Sequence, residues 1–210
     1  MKSEMIRKIL HMICIIGLYL LVSLFRAWWP AVIVTGVFAL LLYPVLTLAE
    51  RHPAYTGFFS ERRRGEVKRS MLLVCGMIIV LMTVYWGGLG ESGKKIVLVA
   101  VLAWGCGDAA AALVGKAFGK NPIPHPFING RKTYEGTLAM FLVSFIAIVA
   151  TMQLQHADWL PSLLVAVPVG LVCATVELFS PHGLDTLTVP FAASFAMFVT
   201  LRLLAQLGVA

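Results

Sequence analysis

The chain has 210 residues, 60% of them hydrophobic and 13% charged, with a formal net charge of +7 and a mean hydropathy of +0.88. A soluble domain carries roughly a quarter charged residues, so the composition excludes one and predicts an integral membrane protein. The positive charge does not point to nucleic acid, because its distribution follows the alternation of a membrane topology.

Windows of about 17 to 25 apolar residues, long enough to cross a hydrocarbon core, fall near 9–25, 27–48, 71–89, 96–115, 136–152, 162–180 and 189–207. They predict an all-α polytopic bundle of about seven transmembrane helices, with residues 1–210 as a single integral membrane domain. The first window follows Lys2, Arg7 and Lys8 as a signal peptide would. It runs into Phe25-Arg26-Ala27-Trp28-Trp29 without a small-x-small cleavage site, so it reads as a retained anchor. Cys14, Cys75, Cys106 and Cys173 fall singly in four different windows, a pattern of packing residues rather than of zinc or redox dithiols.

Basic residues alternate between connections. Lys2, Arg7 and Lys8 precede the first helix; Arg51, Arg62, Arg63, Arg64, Lys68 and Arg69 separate the second from the third; Lys116, Lys120, Arg131 and Lys132 separate the fourth from the fifth. The opposite connections hold only Arg26, Lys94 and Lys95. The positive-inside rule then places the N-terminus in the cytoplasm and the C-terminus outside, in what is expected to be the bacterial inner membrane.

Two connections on the expected cytoplasmic side are long. The first, Glu50 to Arg69, is broken by Pro53 and Gly57 and ends in ERRRGEVKR. It reads either as a topogenic collar at the lipid surface or as a clamp in which Arg62, Arg63, Arg64 or Lys68 grips an anionic headgroup or nucleotide. The second, Lys116 to Glu135, carries Pro122, Pro124, Pro126, Asn129 and Gly130, which rule out a continuous helix and predict a loop with structure of its own.

Within the fourth window, Asp108 is a carboxylate in an apolar helix, and such a residue is a functional hypothesis by default. It falls roughly 18 Å from the predicted outer end of its helix at 1.5 Å per residue. Gly105, Asp108, Ala112 and Gly115 share one helical face, which predicts a small-residue groove leading from the acid to the cytoplasm, or else close helix packing. Three further acids are predicted at the same level: Glu135 opening the fifth helix, Glu177 within a turn of the end of the sixth, and Asp185 in the tight connection to the seventh. Four carboxylates beside Lys116, Lys120, Arg131 and Lys132 are the composition that Mg²⁺ and a polyphosphate require. Gly115-Lys116-Ala117 lacks the spacing and hydroxyl of a P-loop, and no H-R-D or D-F-G pattern is present. His125 and His182 are on the same side and offer further contacts to phosphate.

Gly107-Asp108, the Gly115-Lys116-x-Phe118-Gly119-Lys120 run, the Arg131-Lys132-Thr133-x-Glu135-Gly136 turn, Glu177, and Asp185-x-Leu187-Thr188-x-Pro190 form an ordered set. This set resembles the CTP-dependent lipid kinases: dolichol kinase, phytol kinase and the CTP-dependent diacylglycerol kinase. It covers residues 104–191; the first three helices match only in being hydrophobic. Its first half is also similar to phosphatidate cytidylyltransferase, which would use the same nucleotide for different chemistry. The Lys-Asp pair and the Arg of that family's C-terminal signature are missing here, where only His182-Gly183 is in common, while the D-x-L-T-x-P series of the kinases is present with Thr186 in place of its Asn.

The resemblance implies transfer of the γ-phosphate of CTP to a lipid alcohol, whether diacylglycerol, a polyprenol or a shorter isoprenoid alcohol, at the cytoplasmic membrane face. It implies Asp108, Glu135 and Lys132 as catalytic residues, and Gly107, Gly115, Lys116, Gly119, Lys120, Arg131, Lys132, Thr133, Gly136 and Thr188 as nucleotide-binding. Mg²⁺ would be held by Asp108, Glu177 and Asp185. The partners implied are CTP, the lipid alcohol and the bilayer. A cytidylyltransferase is the alternative, and a small transporter a further one, since buried acids also mark ion pathways.

Overall fold

A computed structural model describes residues 2–51, 55, 65–128, 132–181 and 183–209, with only the backbone at 2–4. Among the described residues seven helices are long and apolar enough to cross a membrane: α1 (Lys2–Leu24), α2 (Trp28–Ala49), α3 (Glu66–Leu89), α4 (Glu91–Phe118), α5 (Tyr134–Leu154), α6 (Trp159–Phe179) and α7 (Asp185–Gln206). In hydrocarbon every backbone polar group needs an internal partner, and helices supply one within each segment. The described residues contain no strand, only an isolated antiparallel bridge between Pro122 and Thr133.

Local sequence sets the helix boundaries. Gly65 and Gly90 adopt positive φ, 75° and 60°, immediately before α3 and α4, where a side chain would be strained. Thr133 caps α5 by accepting a hydrogen bond from the Gly136 amide at 3.2 Å. Helix α3 widens into a π-helical segment over Met82–Trp86. The bundle is built around α4, of whose apolar window 67% is buried against 17% for α1 and for α2. A helix apolar on all sides belongs in an interior, and Ile96 through Val101, Ala103 and Trp104 are all buried.

Helix α1 meets α4 along a seam spaced by seven, at Lys8, Ile15 and Val22, each almost fully buried. Ile15 fills the space beside Gly105, where a Cβ would lie 2.6 Å from its side chain. At the other end of the seam Lys94 ties the two helices together. Its ammonium donates to the carbonyls of Ser23 (3.3 Å) and Phe25 (2.7 Å) and lies 4.7 Å from the centre of the Trp86 ring. A cation at a helix C-terminus satisfies carbonyls that the helix leaves open.

Candidate active site

Asp108 sits seventeen positions after Glu91, the first residue of α4, so its distance from that end is about 26 Å. This exceeds the sequence expectation because α4 begins five residues earlier than its apolar window. Its Oδ2 accepts a hydrogen bond from Lys8 Nζ at 2.6 Å, and the two side chains are only 14% and 9% exposed. His11, one turn beyond Lys8, places Nε2 3.5 Å from the same oxygen and packs edge-on against the Trp104 ring at 5.2 Å. His11 Nε2 and Trp104 Nε1 are buried with no hydrogen-bond partner. Burying unpaired polar atoms costs free energy, so this pocket of α1 and α4 is polar without being satisfied.

A second ion pair stands beside the first. Lys132 Nζ donates to the main-chain carbonyl of Glu177 at 2.6 Å and pairs with its carboxylate, linking the start of α5 to the end of α6. The connection between α4 and α5 has the structure its prolines predict. Ile123 N donates to Lys132 O and Tyr134 N to Asn121 O, both at 3.1 Å, which folds the loop back on itself and delivers Lys132. Glu135 closes it from inside, accepting from Asn121 Nδ2 (2.7 Å) and Lys120 N (3.3 Å). His125 packs against the rings of Phe127 and Phe179, at 5.7 and 5.8 Å, pinning the loop to α6.

Asp185 is the first residue of α7 rather than part of the connection before it, and its Oδ1 accepts from Thr186 N at 2.8 Å. Thr188 Oγ1 and Ser180 Oγ lie 2.6 Å apart, fastening the start of α7 to the end of α6. Asp108, Glu177 and Asp185 are within electrostatic reach of one another, and Asp185 also of Lys8 and Lys132. Arg7 is engaged by Glu66 at 3.7 Å. Among the described residues, three carboxylates against Lys8 and Lys132 leave an excess of negative charge, which favours a cation.

Among the described residues no three His, Cys, Asp or Glu side chains converge on one ion position, so the three acids proposed as metal ligands share a surface without forming a closed cage. The donor set still suits Mg²⁺, which takes one or two carboxylates and completes its octahedron with phosphate oxygens and water. The unsatisfied His11 nitrogen and the surplus acid mark the same space as polar and incomplete.

The glycines expected to bind nucleotide sit at close contacts between chain segments. A Cβ on Gly107 would collide with Ser144 Oγ of α5, one on Gly115 would lie 3.3 Å from Thr133 Oγ1, and one on Gly136 would lie 3.0 Å from Ala111 O. The expected groove through Gly105, Asp108, Ala112 and Gly115 is therefore filled, by Ile15 at one point and by Thr133 and Gly136 at another. Gly119 ends α4 and is crowded by Thr133 as well, while Lys116 and Lys120 are exposed. Arg131, His182 and Arg62 to Arg64 lie outside the described residues. Lys8 and His11 were missed as site residues; their signal was a lysine on the seven-residue seam of a membrane helix.

These features define an integral membrane protein with a charged centre where α1, α4, α6 and α7 meet. The chain belongs to the cytidylyltransferase family, whose pattern matches residues 2–204 and so takes in α1 with Lys8 as well as the region 104–191. It is 31% identical over 200 residues to the phytol kinase of Synechocystis sp., a match covering 91% of this chain and 77% of that protein. Over 148 residues it is 24% identical to chloroplastic phytol kinase 1 of Arabidopsis thaliana, covering 67% of this chain and 46% of the relative. No solved structure matches.

Proposed function

We propose that the protein is a kinase that transfers the γ-phosphate of CTP to the hydroxyl of an isoprenoid-type lipid alcohol at the cytoplasmic face of the membrane. The observation that carries this reading is the pair of lysine-carboxylate contacts, Lys8 with Asp108 and Lys132 with Glu177, flanking Asp185 at one end of the bundle. Phosphoryl transfer asks a protein for positioning and charge stabilisation more than for covalent chemistry, and this centre offers both signs of charge in a largely desolvated place. The 31%-identical phytol kinase supports the choice of acceptor class. The cytoplasmic assignment is supported by the thirteen of 17 lysines and arginines that fall in or beside the connections expected at this end.

Mg²⁺ held by Asp108 and Asp185 would neutralise developing charge on the phosphates. Lys132 and Lys8 would offset the remaining phosphate charge, and Lys120 and Lys116, exposed on the adjoining segment, would draw the nucleotide in. The alcohol oxygen attacks the γ-phosphorus as the bond to the β,γ-bridging oxygen breaks; the hydroxyl proton passes to a carboxylate of the centre and CDP departs. A transporter would need polar groups through the whole depth, whereas α4 is apolar and buried from Ile96 to Val101.

The family's name keeps one rival, cytidylyl transfer, in which phosphatidic acid would attack the α-phosphorus. Purified protein given Mg²⁺ and CTP labelled at the γ-phosphate separates the two. A kinase moves the label into an organic-phase lipid phosphate and leaves CDP. Label released as pyrophosphate, with phosphatidic acid alone, overturns the kinase reading.

A further inference from the structure

Glu177 was expected to bind metal together with Asp108 and Asp185, but its contacts set it apart from both. Lys132 Nζ grips it twice, donating to its main-chain carbonyl at 2.6 Å and to its carboxylate. That carbonyl lies in the last turn of α6, where a helix leaves acceptors open and a cation is favoured. It takes one further bond, from Ser180 N at 3.2 Å. Asp108 meets Lys8 through Oδ2 alone, and Asp185 Oδ1 accepts from the amide of the next residue, Thr186. A metal ion at Glu177 would have to evict an ammonium fastened at two points. At Asp108 it competes with one lysine bond, and at Asp185 with none among the described residues.

The lysine is held from its own side as well. Its carbonyl accepts from Ile123 N at 3.1 Å, and the next residue, Thr133, caps α5. The side chains of Lys132 and Glu177 are 19% and 8% exposed, so the ammonium is fixed in a largely desolvated place. A lysine ammonium carries three N–H donors. Glu177 takes two of them, and the third is uncommitted among the described residues. Such a group suits a phosphate oxygen: a charge-assisted bond strengthens where water is excluded, and little side-chain freedom is left to lose on binding. Lys132 is also within electrostatic reach of Asp185, which keeps the ammonium close to an acid left for the metal.

We infer that Glu177 is a positioning residue rather than a metal ligand: it orients the Lys132 ammonium so that the third N–H meets a phosphate of the nucleotide. The inference rests on the proposed use of CTP at this centre, but it is indifferent to which phosphorus is attacked, and binding reads it without turnover.

The test measures binding of the β,γ-methylene analogue of CTP, with Mg²⁺, to the full chain in one detergent. Lys132→Met and Glu177→Leu should each weaken binding by about tenfold to a hundredfold, as loss of a charge-assisted hydrogen bond does. The double variant replaces a buried pair by apolar side chains, which is often neutral or stabilising. It should therefore unfold near the temperature of the parent, yet bind the analogue as weakly as Lys132→Met alone. Glu177→Gln, which keeps the volume and an acceptor for Lys132, should retain most of the affinity. In turnover, Glu177→Leu should raise KM for CTP and leave KM for the alcohol as it was. Binding that recovers along with stability in the double variant makes the pair a mere tether between loop and helix and overturns the proposal. Losses that multiply in the double variant, or a Glu177→Gln protein as weak as Glu177→Leu, make the carboxylate an independent ligand and overturn it too. A parent chain that does not bind the analogue overturns both this assignment and the proposed reaction. Cytidylyl transfer with the binding pattern intact overturns the kinase reading and leaves the role of Glu177 standing.

Discussion

At the crossing of α4 and α5 a Cβ on Gly107 would run into Ser144 Oγ and one on Gly136 would stand 3.0 Å from Ala111 O, whereas on Gly36 in α2 and Gly76 in α3 it would meet nothing within 4 Å. The same residue type brings backbones together in one half of the bundle and stands clear of any neighbour in the other. The tight half fixes the relative positions of α4, α5 and α6, and with them Asp108, Lys132 and Glu177. The other half has room at these two positions. In a membrane, packing rather than a hydrophobic driving force joins helices, so the close-packed half is the one that holds the charged constellation.

The contrast can be broken most severely at the ion pair. Lys8→Met leaves the buried Asp108 carboxylate without its lysine and with only His11 Nε2 beside it at 3.5 Å, which is expected to cost about 3–5 kcal/mol. Adding Asp108→Asn removes the orphaned charge, so the double variant should unfold at a higher temperature than Lys8→Met alone. A double variant no more stable than the single one would show that the pair is solvated and does not join α1 to α4.

Activity gives the next largest effect. Asp108→Asn keeps size and removes charge, so transfer should fall by about 10²–10³, the usual cost of losing a dominant electrostatic stabiliser, while the protein still inserts. Near-normal turnover would take Asp108 out of the active centre. Smaller again is the effect of a single methyl. Gly107→Ala forces Ser144 and Met140 aside and should cost about 1–3 kcal/mol, whereas Gly76→Ala should stay within about 0.5 kcal/mol of the parent. Equal losses at both positions, measured by thermal unfolding in one detergent, would erase the distinction between the two halves.

Much of this was legible in the chain. The seven spans followed from apolar length and the break in helix between α4 and α5 from Pro122, Pro124 and Pro126, while the way that loop folds back on itself rests on the Ile123–Lys132 and Tyr134–Asn121 hydrogen bonds; the expected common level of Asp108, Glu135, Glu177 and Asp185 came from the alternation of connections. The pairing of Lys8 with Asp108 was not, because it joins residues a hundred positions apart and α1 is apolar on nearly every face, so periodicity does not say which side meets which neighbour. Lys8 also reads as an ordinary topogenic charge until the spacing of Lys8, Ile15 and Val22 is set against the depth of burial of all three. The start of α4 was misplaced by five residues because Glu91, Lys94 and Lys95 look like a loop. Lys94 instead lies inside the helix, with its charge on the end of α1. The meaning of each glycine was equally hidden, since close approach and open space are written with the same letter.

The most direct measurement compares thiol accessibility at one position in each half. In a background free of Cys14, Cys75, Cys106 and Cys173, single cysteines are placed at Thr186, beside Asp185, and at Gly76, and labelling is followed with Mg²⁺-CTP or with long-chain alcohol. Mg²⁺-CTP should slow labelling at 186 and leave 76 unchanged, because in the proposed reaction the nucleotide phosphates are handled where α1, α4, α6 and α7 meet. Unaltered labelling at 186 under saturating Mg²⁺-CTP, in protein that still turns over, would contradict that placement.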